Sequence, residues 1–136
     1  MAYEFGSVEW LAAYQEAINT SAAYARAAAT WEGDFYFCIQ PDAAYDIQSV
    51  YYLDLWHGQC RASAVAKDGE YQPIFRIEGT ASQWKAIIEK KLDPIQAMMT
   101  RRLKLAGDLA KIMRAVPAAH ELVNCTAQVP TTFTPR

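Results

Sequence analysis

Histidine, cysteine and carboxylate side chains could do acid–base, nucleophilic or metal chemistry, and this chain deploys them sparsely. It has only His57 and His120, neither with a ligand partner at i+4, so a histidine-based metal site needs carboxylates to complete it. Asp54 precedes His57 by three residues, a spacing that in a strand puts the two on opposite faces, and no dyad is assigned. Both histidines read as solvated or structural groups, His57 beside a turn and His120 near a helix end. Cys38, Cys60 and Cys125 are odd in number, widely spaced and outside any C-x-x-C pattern. They read as reduced core residues, not as a disulfide framework or zinc cluster. The six glycines supply no G-x-S-x-G elbow, no G-x-G-x-x-G turn and no P-loop. The expectation is therefore a non-enzyme without cofactor or metal.

What the chain does have is apolar surface. Hydrophobic residues make up 52% and charged residues 21% of its 136 residues, with a net charge of −2, a balance that argues against disorder and against a nucleic-acid partner. Eight Tyr, four Trp and five Phe suit either a dense core or the wall of a cavity, and composition does not choose between them. Glu4, Glu9 and Glu16 with no basic start argue against a secretory leader. No apolar run approaches the roughly 20 residues of a membrane span, so the cytoplasm is the expected location. The final Thr-Pro-Arg is not the peroxisomal tripeptide. Lys90, Lys91, Arg101, Arg102 and Lys104 cluster along the chain. They read as a solvated face, with transient contact to anionic headgroups as the alternative at about 1 kcal/mol per charge. Oligomeric state is not legible, and a homodimer is compatible with the sequence.

The elements that must position these side chains follow from periodicity. Leu11, Tyr14, Ile18, Ala22, Ala25 and Ala29 recur at helical steps, predicting one long amphipathic helix from Ser7, its N-cap, to Ala29. Alternation predicts strands over 34–40 and 50–56, a reversal at Gly58, a third strand over 60–66 and a fourth over 74–78, with Lys67-Asp68-Gly69-Glu70 as a turn. Ala62, Ala64 and Ala66 form a small-residue face that leaves room for something else. Thr80 and Gln83 have the capping-box form, Asp93-Pro94 restarts a helix, Leu103 and Leu105 mark a fifth strand, and Asp108 caps a further helix. Pro117 closes or kinks that helix, and Ala118 to Cys125 form a last helical segment. Residues 1–127 read as one domain and 128–136 as a mobile tail.

The stretch from Lys91 to Asp108 carries a specific order of residues. Leu92-Asp93-Pro94, then Ala97-Met98-Met99, then Leu103-Lys104-Leu105 and Gly107-Asp108 leading into a helix resemble the signature of the sterol carrier protein type 2 family. Tyr52-Leu53-Asp54-Leu55 followed by Gly58 is similar to that family's hairpin, so the resemblance runs from about Asp34 to Met113. The chain departs from it at Lys90 and Arg101, where the family often has small residues; larger side chains there would narrow or gate an entrance.

The resemblance implies an α+β fold, a five-stranded sheet covered on one face by helices, with an apolar tunnel between the layers that holds lipids. The lipid-binding residues are then expected among Phe75, Ile77 and Leu105 of the sheet and Trp84, Ile87, Ile88, Met98, Met99, Leu109, Ile112 and Met113 of the helices. Flexible Met98, Met99 and Met113 suit a wall that adapts to varied apolar ligands. The ligand class spans fatty acid, acyl-CoA, phospholipid and sterol-like molecules. The alternative is a non-catalytic scaffold with the same fold, fully packed, that binds a protein partner.

Overall fold

The alternation of Phe35, Phe37 and Ile39 places the central strand of the molecule. The computed structural model describes residues 2–67 and 69–136. Its elements begin with β1 (Tyr3–Glu4), α1 (Val8–Asn19), α2 (Ala22–Ala27), β2 (Glu32–Gln40), β3 (Ser49–Trp56) and β4 (Gln59–Val65). They continue with β5 (Phe75–Thr80), α3 (Ala81–Ile88), α4 (Pro94–Met99), β6 (Lys104–Ala106), α5 (Leu109–Met113), α6 (Val116–Thr126) and β7 (Thr131–Thr132). A five-stranded sheet has the order β4-β3-β2-β5-β6, in which β2 pairs parallel with β5 and every other neighbour is antiparallel. The expected α+β architecture is present, with the late order α3, α4, β6, α5 as read from the sequence.

Register decides which residues face the helices. Phe35 pairs with Leu53 and Phe75, Leu53 with Ser63, and Ile77 with Leu105, so these share the inner face. His57 (φ 48) and Gly58 (φ 79) close the β3–β4 hairpin in the left-handed region, the geometry a two-residue turn needs. A Cβ on Gly58 would also lie 2.8 Å from the Ala25 backbone. The turn over 67–70 is held by a Glu70 N–H bond to the Lys67 carbonyl (3.0 Å), whereas Asp68 lies outside the described residues.

Four expectations need correction. The long first helix is broken at Thr20–Ser21, because the Ser21 side chain accepts from the Tyr24 N–H (3.0 Å) and starts α2 afresh. Ala22 and Ala29 are consequently exposed, and Tyr24 and Ala28 are the residues α2 and its end bury. Ala62 and Ala64 pair with Asp54 and Tyr52 and so lie on the outer face, away from the helices. A register shift at Asp54–Leu55 brings Cys60 opposite Leu55. Pro117 sits in the first turn of α6, where its missing N–H is harmless, so it opens a helix instead of closing one. The tail is placed: Thr131 and Thr132 pair parallel with Tyr3 and Glu4, and Phe133 packs against Phe5 at 5.1 Å. Trp10 Nε1 donates to Thr131 Oγ1 (2.8 Å), tying that pair to α1.

Candidate functional site

Between the sheet and the helices lies an apolar cavity of about 110 Å³. Its floor is Phe35, Phe37 and Ile39 of β2, Tyr51 and Leu55 of β3, and Ile77 of β5. The roof takes Trp10 and Tyr14 from α1, Tyr24 from α2, Trp84, Ile87 and Ile88 from α3, Pro94 and Met98 from α4, and Ile112 from α5. From α6 come Ala118, Ala119, Leu122 and Val123. Among the described residues, no Asp, Glu, Lys, Arg or His lines it.

Local sequence sets each roof helix. The Thr80 side chain accepts from Gln83 N–H (3.2 Å) and Gln83 accepts in return from Thr80 N–H (2.9 Å), which fixes the start of α3. Trp84 can then face the cavity while its Nε1 donates to the Cys38 carbonyl (2.9 Å). Asp93 caps α4 through Gln96 N–H (2.9 Å) and also meets His120 Nε2 of α6 at 2.8 Å. Burial alone would raise the Asp93 pKa, but the Gln96 N–H and His120 outweigh it and hold the carboxyl below its usual range. Gly107 (φ 133) leads into α5, and a Cβ there would stand 2.5 Å from the Phe75 ring. Asp108 then caps α5 through Ala110 N–H (3.0 Å).

The wall's hydroxyls stay protonated. Burial pushes the Tyr14, Tyr24 and Tyr51 phenols well above their ordinary value, and it pushes the Cys60 thiol up to about 12, leaving it unreactive. Tyr14 donates to the Leu122 carbonyl (2.8 Å), joining α1 to α6. The half-buried lining residues are Phe37 of β2, packed against Trp84, with Trp84 and Ile88 of α3, Pro94 of α4, Ala115, and Ala119, Leu122 and Val123 of α6, so most of them lie where α3, α4 and α6 meet.

Of the residues expected to bind ligand, Ile77, Trp84, Ile87, Ile88, Met98 and Ile112 come together in this wall. Phe75 is buried behind it, stacked on Phe35 at 5.0 Å, and Leu105 sits half-buried on the edge strand β6. Met99 (58% exposed), Leu109 (36%) and Met113 (39%) point away. The reason is geometric: α4 and α5 have six and five residues, and consecutive helical residues diverge by about 100°. Met98 and Met99 therefore cannot both face inward. Sequence reasoning missed Trp10, Tyr14, Tyr24, Trp31, the α6 wall, and the floor residues Phe35, Phe37 and Ile39 of β2 and Tyr51 and Leu55 of β3. The available signals were the i, i+4 pair Trp10–Tyr14 and the small residues Ala115, Ala118 and Ala119 at helical spacing.

The histidines lie outside the cavity. His57 meets Glu32 at 2.6 Å at the surface, and Asp54 pairs instead with Arg61 at 3.1 Å. Lys90, Lys91, Arg101, Arg102 and Lys104 are all exposed, with Lys91 near Glu89 (3.3 Å) and Lys104 near Glu78 (4.0 Å). Neither Lys90 nor Arg101 is in the cavity wall. Their backbones sit at φ 61 and φ 62, in the left-handed region that favours glycine. Among the described residues no group of three His, Cys, Asp or Glu could hold a metal ion, and no helix is long and apolar enough to cross a membrane.

A mixed sheet and a helical layer enclosing an uncharged cavity define a small α+β domain of the internal-cavity kind. The chain belongs to the SCP-2 sterol transfer family, which matches it over residues 12–119. A crystal structure of sterol carrier protein 2 is 36% identical, with 92% of this chain and 98% of that one covered and a TM-score of 0.81. The solution structure of a conserved hypothetical protein from Thermus thermophilus is 34% identical, with 97% and 94% covered and a TM-score of 0.83. Stomatin-like protein 1 of Mus musculus is 40% identical over 67 residues, which is 49% of this chain but only 16% of that protein. The match to that relative thus spans about a sixth of its length.

Proposed function

We propose that this protein binds and carries lipids or other apolar small molecules in the cavity between its two layers, without chemical conversion. The observation that carries this reading is the wall itself: aromatic and aliphatic on every side, with both histidines occupied in surface pairs elsewhere. Membership of a family named for sterol transfer supports it. Transfer of apolar carbon into such a site yields about 0.8 kcal/mol per methylene, against association costs of about 4 kcal/mol or more.

The present volume limits what fits. About 110 Å³ is somewhat smaller than the roughly 150 Å³ dry cavity that takes a benzene ring. A long acyl chain therefore enters only by parting the helical layer, with α3, α4 and α6, which carry most of the half-buried lining residues, as the place to do so. Exposed Lys90, Arg101 and Arg102 lie on the ends of α3 and α4, so loading from an anionic bilayer would bring headgroups beside those moving helices. Native mass spectrometry of the purified protein, with displacement of a fluorescent fatty acid, tests the reading. Co-purified lipid or saturable displacement is expected, and absence of both would overturn it.

A further inference from the structure

Tyr24 lines the cavity from α2, is 1% exposed, and its hydroxyl has no hydrogen-bond partner among the described residues. The other wall groups that could compete for this role are already engaged. Tyr14 donates to the Leu122 carbonyl, Tyr51 to the Ser7 carbonyl (2.8 Å), Thr126 to the Val123 carbonyl (2.6 Å), and the indole N–H groups of Trp10, Trp31 and Trp84 each have an acceptor. The Tyr24 hydroxyl is not sealed off, the fully buried side-chain oxygen without a partner among the described residues being Ser49 Oγ, and a lone water beside the phenol needs two to four polar partners, of which this wall offers few.

We infer that Tyr24 is a specificity-determining residue, its hydroxyl binding the single uncharged oxygen of a long-chain alcohol or carbonyl compound that enters with that end inward. This rests on the carrier reading and adds to it an orientation and a preference. Charge is what separates ligands. With no cation in the wall, a carboxylate brought to Tyr24 would be buried unpaired, so an ionised fatty acid keeps its head at the mouth and leaves Tyr24 unused. The phenol is itself held neutral by burial and can donate to a carbonyl or alcohol oxygen or accept from an alcohol.

Calorimetric titration of octan-1-ol and of octanoate at pH 8 into wild type and Tyr24→Phe separates the possibilities. Tyr24→Phe is expected to weaken octan-1-ol about fivefold, the worth of one neutral hydrogen bond, and to change octanoate by less than about twofold. The melting temperature of the ligand-free variant should hold or rise, because the lost hydroxyl bonded nothing. Equal weakening of both ligands, no weakening of octan-1-ol, or a clear fall in the melting temperature would overturn the role given to Tyr24 while leaving the carrier reading intact. Failure of the wild type to bind either ligand would overturn both.

Discussion

The Asp42 carboxylate accepts from the backbone N–H groups of Ala44 (2.9 Å), Tyr45 (3.0 Å) and Ser82 (2.9 Å). It thereby joins the β2–β3 connection to the first turn of α3, and through α3 it holds Trp84 and Ile87 over the cavity. Burial would raise its pKa, but the donors on Ser82, Tyr45 and Ala44 prevail and depress it well below the carboxylate range. A depressed folded pKa means stabilisation fully present above the unfolded value near pH 4 and lost as pH falls through the folded one. Asp42→Ala is expected to cost about 2 kcal/mol in urea unfolding at pH 7, and the gap to wild type should narrow progressively below about pH 4. A pH-independent gap would place the cost in the turn's backbone instead. Beside Pro41, Asp42 reads in the sequence only as the end of the strand over 34–40. Its bond to Ser82 joins residues 40 apart, and no local pattern encodes that pairing.

The segment from Thr80 to Asp108 was largely legible because its signals are local. Thr80, Asp93 and Asp108 cap the helices they were expected to cap, and Pro94 occupies the first turn of α4. The first helix was misread because Leu11, Tyr14 and Ile18 keep a helical phase that Ala22 and Ala25 continue by coincidence. Alanine is neutral to burial, so it could not report that Ser21 had restarted the count. The β1–β7 pair was missed for a different reason: two residues per strand carry no periodicity, and the partners lie at opposite ends of the chain. Where α3 and α4 stop, Lys91 N–H and Arg102 N–H reach back to the Ala86 and Ala97 carbonyls, each at 2.8 Å, across residues of positive φ. A left-handed non-glycine residue costs about 1–2 kcal/mol, partly offset in glycine by its greater unfolded-state freedom. Lys90→Gly and Arg101→Gly should therefore each raise stability by about 0.5–1 kcal/mol in urea unfolding, with ligand binding unchanged. A loss of stability in either would mean that the side chain, and not the backbone, matters there.

Aromatic content left two molecules open, one with a packed interior and one with a cavity, and the sequence could not choose because both bury the same residues. Phe75 packs behind the wall against Trp31 and Phe35, while Trp31, Phe35, Trp10, Tyr14 and Trp84 both pack and border the open volume. A filled interior and a functional cavity respond oppositely to added bulk. In close packing an oversized side chain costs roughly 1–3 kcal/mol through strain, whereas beside about 110 Å³ of apolar space the extra ring has somewhere to go. Met98 borders that space and is buried, while Met113 is exposed and outside the wall. Met98→Trp should then weaken fluorescent fatty-acid binding about tenfold, equivalent to about 1.4 kcal/mol, with the melting temperature held or raised. Met113→Trp, with the same change in chemistry at a surface position, should leave both quantities as in wild type. If Met98→Trp instead keeps full binding and melts clearly lower, Met98 is ordinary core and the ligand does not use this cavity. Equal loss of binding in the two variants would point to an effect of tryptophan on the helical layer as a whole, with α5 moving alongside α4 when ligand enters.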